Sequence, residues 1–316
     1  MENAPSFVDL KGVSVDYQRP TGLFGLLGQK PETYSVLRDI TFSLPPGARV
    51  TVFGHEGSGK TTLLRLLTGI LKPTIGSVRV NGEPPAALKH VAAGYVSSEE
   101  TEPDKDTAYQ VLTAFARTHN ISPAAARIRE VSDILELGER LFVPARTLSS
   151  AGRLRVNLAR AALSDTPLIL LDDVAEQLGA KPLSAIIPRL FAGRTVLIAT
   201  RHASTAQTLK LPLLLLHAGQ LAHRGTIDEI AANLSCHRLV DVWVEGLRYD
   251  LLRQLRQHAG VIEARLIPTS SFSGQRLRIT LRSARYLPSM YDLISQAPLV
   301  RVEELPASLY DILSRL

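Results

Sequence analysis

Gly54-His55-Glu56-Gly57-Ser58-Gly59-Lys60-Thr61, with Thr62 behind it, follows the pattern G-x-x-x-x-G-K-[ST]. Glycine there lets backbone N–H groups converge on phosphate oxygens, and a helix opening near Lys60 adds the positive end of its dipole. Lys60 is then expected at the β- and γ-phosphates and the Thr61 hydroxyl on magnesium, so ATP and Mg2+ are the expected cofactors. The second metal ligand has to come from the end of a neighbouring strand, and Leu168-Ile-Leu-Leu-Asp172 supplies it in Asp172. Asp173, next in line, is placed to polarise an attacking water.

These groups need a strand before the loop and a helix after it. Arg49 to Phe53 provides the first, and Lys60 to Gly69, with leucines at 63, 64, 66 and 67 and a terminal glycine, provides the second. Phe7 to Val15 and Val36 to Leu44 read as further strands, and Asn81-Gly82 marks a tight turn. Between the first two strands, Arg19 to Thr33 sets glycines among Leu23, Phe24, Leu26 and Leu27, the composition of a surface hairpin with an apolar tip. The stretch from Asp106 to Leu163 reads helical, and in its last helix Leu154, Leu158, Ala161 and Ala162 share one face. Aliphatic runs at Leu168 to Leu171, Thr195 to Ala199 and Leu213 to Leu216 alternate with helix-length connections, which predicts a mostly parallel sheet covered on both faces. Thr226-Ile-Asp-Glu229 is a capping box. Beyond Ser235 lysine disappears, and Val242 to Val244, Val261 to Ile267 and Leu277 to Leu281 predict strands of a small α+β domain. Two domains are therefore expected, 1–235 binding nucleotide and 236–316 accessory.

Composition sets outer limits. In 316 residues, 45% hydrophobic and 21% charged content is that of a folded globular chain. The net charge of +6 comes from scattered residues without a Lys/Arg block, so nucleic acid is not an expected partner. The one cysteine, Cys236, fits a reducing compartment. No apolar run approaches the roughly 18–20 residues that span a bilayer, so any membrane role is expected to come through a partner.

Between the phosphate loop and Asp172 lies Leu148-Ser149-Ser150-Ala151-Gly152-Arg-Leu-Arg-Val-Asn-Leu-Ala-Arg160. In order and spacing, Phe7 to Leu234 resembles the nucleotide-binding domain of ABC transporters, with this segment in the place of the signature LSGGQ and its helix. The resemblance implies a P-loop NTPase fold of the ABC type, with a mostly parallel sheet core, an antiparallel β subdomain and a helical subdomain. It implies a dimer with ATP between one subunit's P-loop and Ser149, Ser150, Ala151 and Gly152 of the other. It also implies transmembrane partner subunits and a place on the cytoplasmic face of the membrane. The adenine-stacking aromatic falls on Tyr17, with Tyr34 as the alternative. The end of the chain, from Val302, is similar to ATPase subunits of the export branch.

Against the family pattern, the glutamate after Asp172 is Asp173 and the Q-loop glutamine is Ser98. The switch histidine is Arg201, with His202 one place late, and Glu176-Gln177-Leu178-Gly179 replaces the D-loop. Two functions follow as expectations. One is an exporter ATPase subunit, the catalytically weakened half of a heterodimer with a more complete nucleotide-binding partner; the other is an ATP-gated structural or regulatory clamp that hydrolyses little.

Overall fold

The computed structural model describes residues 6–18, 33–87, 94–98, 105–234, 237–246, 249–268, 274–305 and 309–313. Of the expected hairpin at 19–33, residues 19–32 lie outside them, as does Cys236. The chain divides into two compact units, Met1–Arg224 and Gly225–Leu316.

In the first unit, numbered along the chain, β1 (Val8–Gln18), β2 (Thr33–Leu44) and β4 (Ile75–Val80) form an antiparallel sheet in the order β2-β1-β4. The second sheet runs β5-β6-β7-β3-β8-β9: Tyr95–Ser97, Leu168–Asp172, Thr195–Thr200, Arg49–Phe53, Leu213–His217 and Gln220–Gly225. Its first five strands pair in parallel, as the aliphatic runs predict.

Side-chain alternation decides what each face carries. Val50, Val52, Leu168, Leu170, Leu197 and Ala199 pack with Leu63, Leu64, Leu66 and Leu67 of α1 (Lys60–Thr68). Ile169, Leu171, Val196 and Ile198 point the other way, onto Leu154, Leu158, Ala161 and Ala162 of the later helix. The Asp172 side chain follows Leu168 and Leu170, so the same alternation that builds the core delivers the carboxylate to the α1 side. A one-residue slip of β6 would send it to the wrong face.

The helical region consists of α2 (Ala108–Thr118), opened by a Thr107–Gln110 capping box, then α3 (Ala124–Ile134) and α4 (Ser150–Leu163). Short α5 (Ala175–Leu178), α6 (Ala180–Leu190) and α7 (Ala203–Leu209) follow strands β6 and β7. No helix among the described residues is long and apolar enough to cross a membrane.

The second unit begins with α8 (Ile227–Asn233), held by the expected Thr226–Glu229 capping box. This helix packs with α11 (Leu309–Leu313) of the same unit. Between them run β10 (Arg238–Val244), α9 (Tyr249–Gln257), β11 (Val261–Ile267), β12 (Gln275–Leu281), α10 (Leu287–Ile294) and β13 (Leu299–Leu305). The sheet order β11-β12-β10-β13 makes this a split βαβ arrangement. Val240, Val242 and Val244 point into its core. Asp241, between them in sequence, points away and is fully buried against Arg276 and Arg278, with Arg278 Nε 2.8 Å from Oδ1.

Candidate nucleotide-binding site

The loop expected to hold phosphate leaves β3 and enters α1 directly. Two of its glycines are required by the geometry. A Cβ on Gly54 would lie 2.3 Å from the Leu216 carbonyl oxygen. Gly59 has φ +99°, and a Cβ there would meet Leu37 Cδ2 at 2.5 Å. Gly59 caps α1 without a side-chain hydrogen bond, so the first N–H groups of the helix stay open to an anion. Around them His55, Glu56 and Gly57 are exposed, while Ser58 and Gly59 are buried.

Lys60 is buried, and its Nζ donates to the carbonyls of Gly54 at 2.8 Å and His55 at 2.7 Å. Burial lowers its pKa, opposed by the charges of Asp173 and Asp172. Thr61 and Thr62 follow, half-buried, in the first turn of α1.

Asp172 ends β6 with one oxygen occupied and one not. Oδ2 accepts the Tyr95 hydroxyl at 3.0 Å; Oδ1 is buried without a hydrogen-bond partner among the described residues. Burial, then the charge of Asp172, pushes the Tyr95 phenol well above its usual range, so it stays a donor. Asp173 adopts φ +51°, its N–H donates to the Ala199 carbonyl at 3.2 Å, and its Oδ1 is likewise buried and unpaired. Burial, then the charge of Asp172, raises the Asp173 carboxyl. A buried carboxylate oxygen without a donor is costly unless a cation meets it. Carboxylate and hydroxyl oxygens are the donor set magnesium takes, and Asp172 with Thr61 fit it.

The departures from the family pattern converge on the same place. The Gln177 amide nitrogen donates to the Ser98 carbonyl at 2.8 Å, while the Ser98 N–H donates to the Asp172 carbonyl at 3.1 Å. Gln177 Oε1 is buried without a hydrogen-bond partner among the described residues. Arg201 and His202, which strand alternation would direct to opposite faces, both reach Glu176 because β7 stops at Thr200 and the chain turns into α7. Lys60, Asp172, Asp173, Glu56, Glu176 and Arg201 thus form one charged cluster, with the His202 ring on Glu176.

The remaining candidates sit elsewhere. Ser149 caps α4, its hydroxyl accepting the Gly152 N–H at 3.2 Å, with Ser150 exposed, Ala151 half-buried and Gly152 buried. Gly152 packs closely: a Cβ there would stand 3.1 Å from Leu148 Cβ. Tyr17 and Tyr34 are direct cross-strand partners in the antiparallel sheet, with ring centroids 5.9 Å apart and nearly parallel planes. The two alternatives for the adenine therefore form one aromatic pair. Tyr95, Gln177 and Glu176 were not marked as site residues by sequence. The parallel β5–β6 pairing that sets Ser97 opposite Asp172 is what would have pointed to the first.

Residues 37–176 match the family model described as ABC transporter. The chain is 33% identical over 186 residues to a lipoprotein-releasing system ATP-binding protein, LolD 1, of Rhodopirellula baltica, covering 54% of this chain and 81% of that one. It is 30% identical over 178 residues to the O-antigen export system ATP-binding protein RfbB of Myxococcus xanthus, covering 55% of this chain and 39% of the relative. A solved structure of an ATP-binding subunit of an ABC transporter superposes with a TM-score of 0.59 at 22% identity, over 72% of this chain and 93% of the other. The chain spans less than half the length of its O-antigen, phosphonate and lipid A relatives.

Proposed function

The chain belongs to the ABC transporter family of ATP-binding domains, and on that premise we propose that it is the ATP-binding subunit of a membrane exporter, the catalytically weakened half of a heterodimer. The observation that carries this is an uneven site. The groups that hold nucleotide have the form binding requires: an open helix N-terminus, a buried Lys60 and an Asp172 oxygen awaiting a cation. The groups that serve hydrolysis are shortened or displaced. Asp173 is one methylene short of glutamate, and a misplacement of about 1 Å in a catalytic group can cost about a hundredfold in rate. Ser98 is tied through its backbone to Gln177 rather than offering a side-chain amide of its own.

In this reading Thr61 and Asp172 hold Mg2+, which would neutralise charge on the phosphates. Tyr17 with Tyr34 receives the adenine, Asp173 orients water weakly, and His202 is held on Glu176. Ser149 presents its helix N-terminus to nucleotide bound by the partner. Export is preferred to import on the likeness of the stretch from Val302 onward to exporter subunits. The accessory unit is dispensable for nucleotide binding, and the protein works at the cytoplasmic face through transmembrane subunits.

The test is to purify the protein with its neighbours from native membranes. Membrane-spanning subunits and a second, more complete ATP-binding chain should accompany it. A stable preparation lacking both, with unchanged ATP affinity, would favour the clamp that binds nucleotide without driving transport.

A further inference from the structure

The sheet of the second unit has two unlike faces. Leu251 and Leu255 of α9 and Met290 and Ile294 of α10 pack on the one that carries Val240, Val242 and Val244. Strand alternation puts Asp241, Trp243, Arg265, Arg276, Arg278 and Arg301 on the other. There Asp241 engages one edge of each of two guanidiniums. Nε and Nη2 of Arg278 both lie 2.8 Å from its oxygens, and Nε of Arg276 lies at 3.1 Å with its Nη2 alongside. This leaves the Nη1 edge of each to a second acceptor. Trp243 stands between Arg276 and Arg301, its partners on the two neighbouring strands, with their guanidinium carbons 4.9 and 5.0 Å from the ring centroid. Flanked from both sides, the ring holds the Arg276 plane in place rather than offering a face to a base.

The charges here do not balance. Arg265 lies directly opposite Arg278 in the β11–β12 register, and like charges so placed repel. Its carboxylate contact, Glu263 at 3.9 Å, joins two side chains that are each more than half exposed, so solvent screens it. Arg301, beyond the tryptophan, is matched by Glu303 at 2.8 Å. Arg265, Arg276 and Arg278 are thus three guanidiniums against the one buried carboxylate of Asp241, which leaves two positive charges uncompensated.

We propose that Arg265, Arg276 and Arg278 form a binding site for a phosphoryl group, carried by a soluble phosphate monoester or by a lipid headgroup. A phosphate monoester brings nearly two negative charges at neutral pH and three acceptor oxygens, enough to meet both charges and all three guanidiniums. A carboxylate brings one charge and two oxygens. The planar guanidinium fork matches phosphate oxygens in pairs, and Asp241 sets two of the forks side by side as their positioning residue. The site is independent of the nucleotide reading of the first unit.

Trp243 is the one tryptophan in the chain, so its fluorescence reports this site and not the phosphate loop. At fixed ionic strength, inorganic phosphate should change the emission of the full chain saturably, and acetate should not. Arg265→Gln, which leaves the Asp241 network in place, should weaken phosphate by about tenfold, the scale of a lost charge-assisted contact. It should also raise Tm slightly in phosphate-free buffer by removing a like-charge pair, whereas loss of a purely structural contact would lower it. Arg265→Lys should keep part of the affinity, and Lys60→Ala should leave the Trp243 response unchanged. Vesicles of phosphatidic acid in phosphatidylcholine distinguish the sources: a response to them as well as to free phosphate puts the group on a lipid, and a response to free phosphate alone puts it on a soluble monoester. No saturable response to either, an equal response to pure phosphatidylcholine vesicles, or unaltered affinity in Arg265→Gln would overturn the proposal and leave the arginines a structural cage for Asp241.

Discussion

The Tyr95 hydroxyl donates to Asp172 Oδ2 across 3.0 Å while the other oxygen of Asp172 is buried without a hydrogen-bond partner among the described residues. One carboxylate is thereby oriented by its neighbouring strand and left with a lone pair for a cation. Asp172→Asn should weaken nucleotide binding far more in magnesium than in chelator, since only the former uses the carboxylate. Tyr95→Phe should act through the same ion, raising the magnesium concentration needed for half-maximal binding by about tenfold, as losses behind a metal ligand commonly do. Equal effects with and without magnesium would count against the assignment.

Lys60→Ala removes the cation that anchors the loop through the Gly54 and His55 carbonyls. MgATP affinity should fall by about 10- to 100-fold, the scale of a lost charge-assisted contact. A calorimetric titration with unaltered affinity would refute the phosphate site.

Asp173 gives a pH signature. Burial and the charge of Asp172 raise its carboxyl in the folded chain, so the folded state holds its proton to higher pH than the unfolded one. Its contribution makes stability fall as pH climbs from the ordinary aspartate value through the raised folded one. Asp173→Asn should therefore raise Tm in the nucleotide-free protein at neutral pH, and the gain should shrink toward zero near pH 4. Melting curves of the two proteins at a series of pH values check this; a constant difference would contradict it.

The aliphatic strands, the P-loop and the Thr226–Glu229 capping box were legible because each is written in adjacent residues with a fixed spacing. Leu168 to Asp172 announces both a buried strand and the carboxylate at its end, and Thr226 with Glu229 announces a helix start. What the sequence hid was assembled across the fold. Tyr95 reaches Asp172 only through parallel pairing, and Gln177 meets Ser98 only because α5 follows β6. Arg201 and His202, adjacent in sequence, share Glu176 for a local reason, the end of β7 at Thr200. The contact between α8 and α11 joins segments far apart in sequence, so no local pattern announces it.

Asp241 tests the independence of the second unit. Burial by itself would raise its carboxyl, but hydrogen bonds from Arg278 and Arg276 outweigh that and hold it below the usual range. The stabilisation is present above the ordinary aspartate pKa and lost as pH falls through the depressed folded value. Asp241→Ala strands two arginines and should destabilise the second unit by about 3–5 kcal/mol, while MgATP affinity stays within about twofold. Differential scanning calorimetry with parallel titration checks both; loss of ATP binding in step with the second unit would show that the two units are not functionally separate.

The proposed function has this chain bind ATP well, hydrolyse it slowly alone and reach fast turnover only in company. In a homodimer both composite sites would combine Asp173, Ser98 and the Glu176-bound His202 with the altered turn from Ser149 to Gly152. In a heterodimer, one site would join a complete partner's catalytic glutamate to that turn, and turnover would reside there. The decisive measurement is steady-state ATP hydrolysis by the isolated chain and by the purified complex, with each subunit's acid disabled in turn. The isolated chain should turn over slowly, and the complex should lose far more activity when the partner's glutamate is disabled than with Asp173→Asn. Robust hydrolysis by the isolated chain, abolished by Asp173→Asn, would contradict the account.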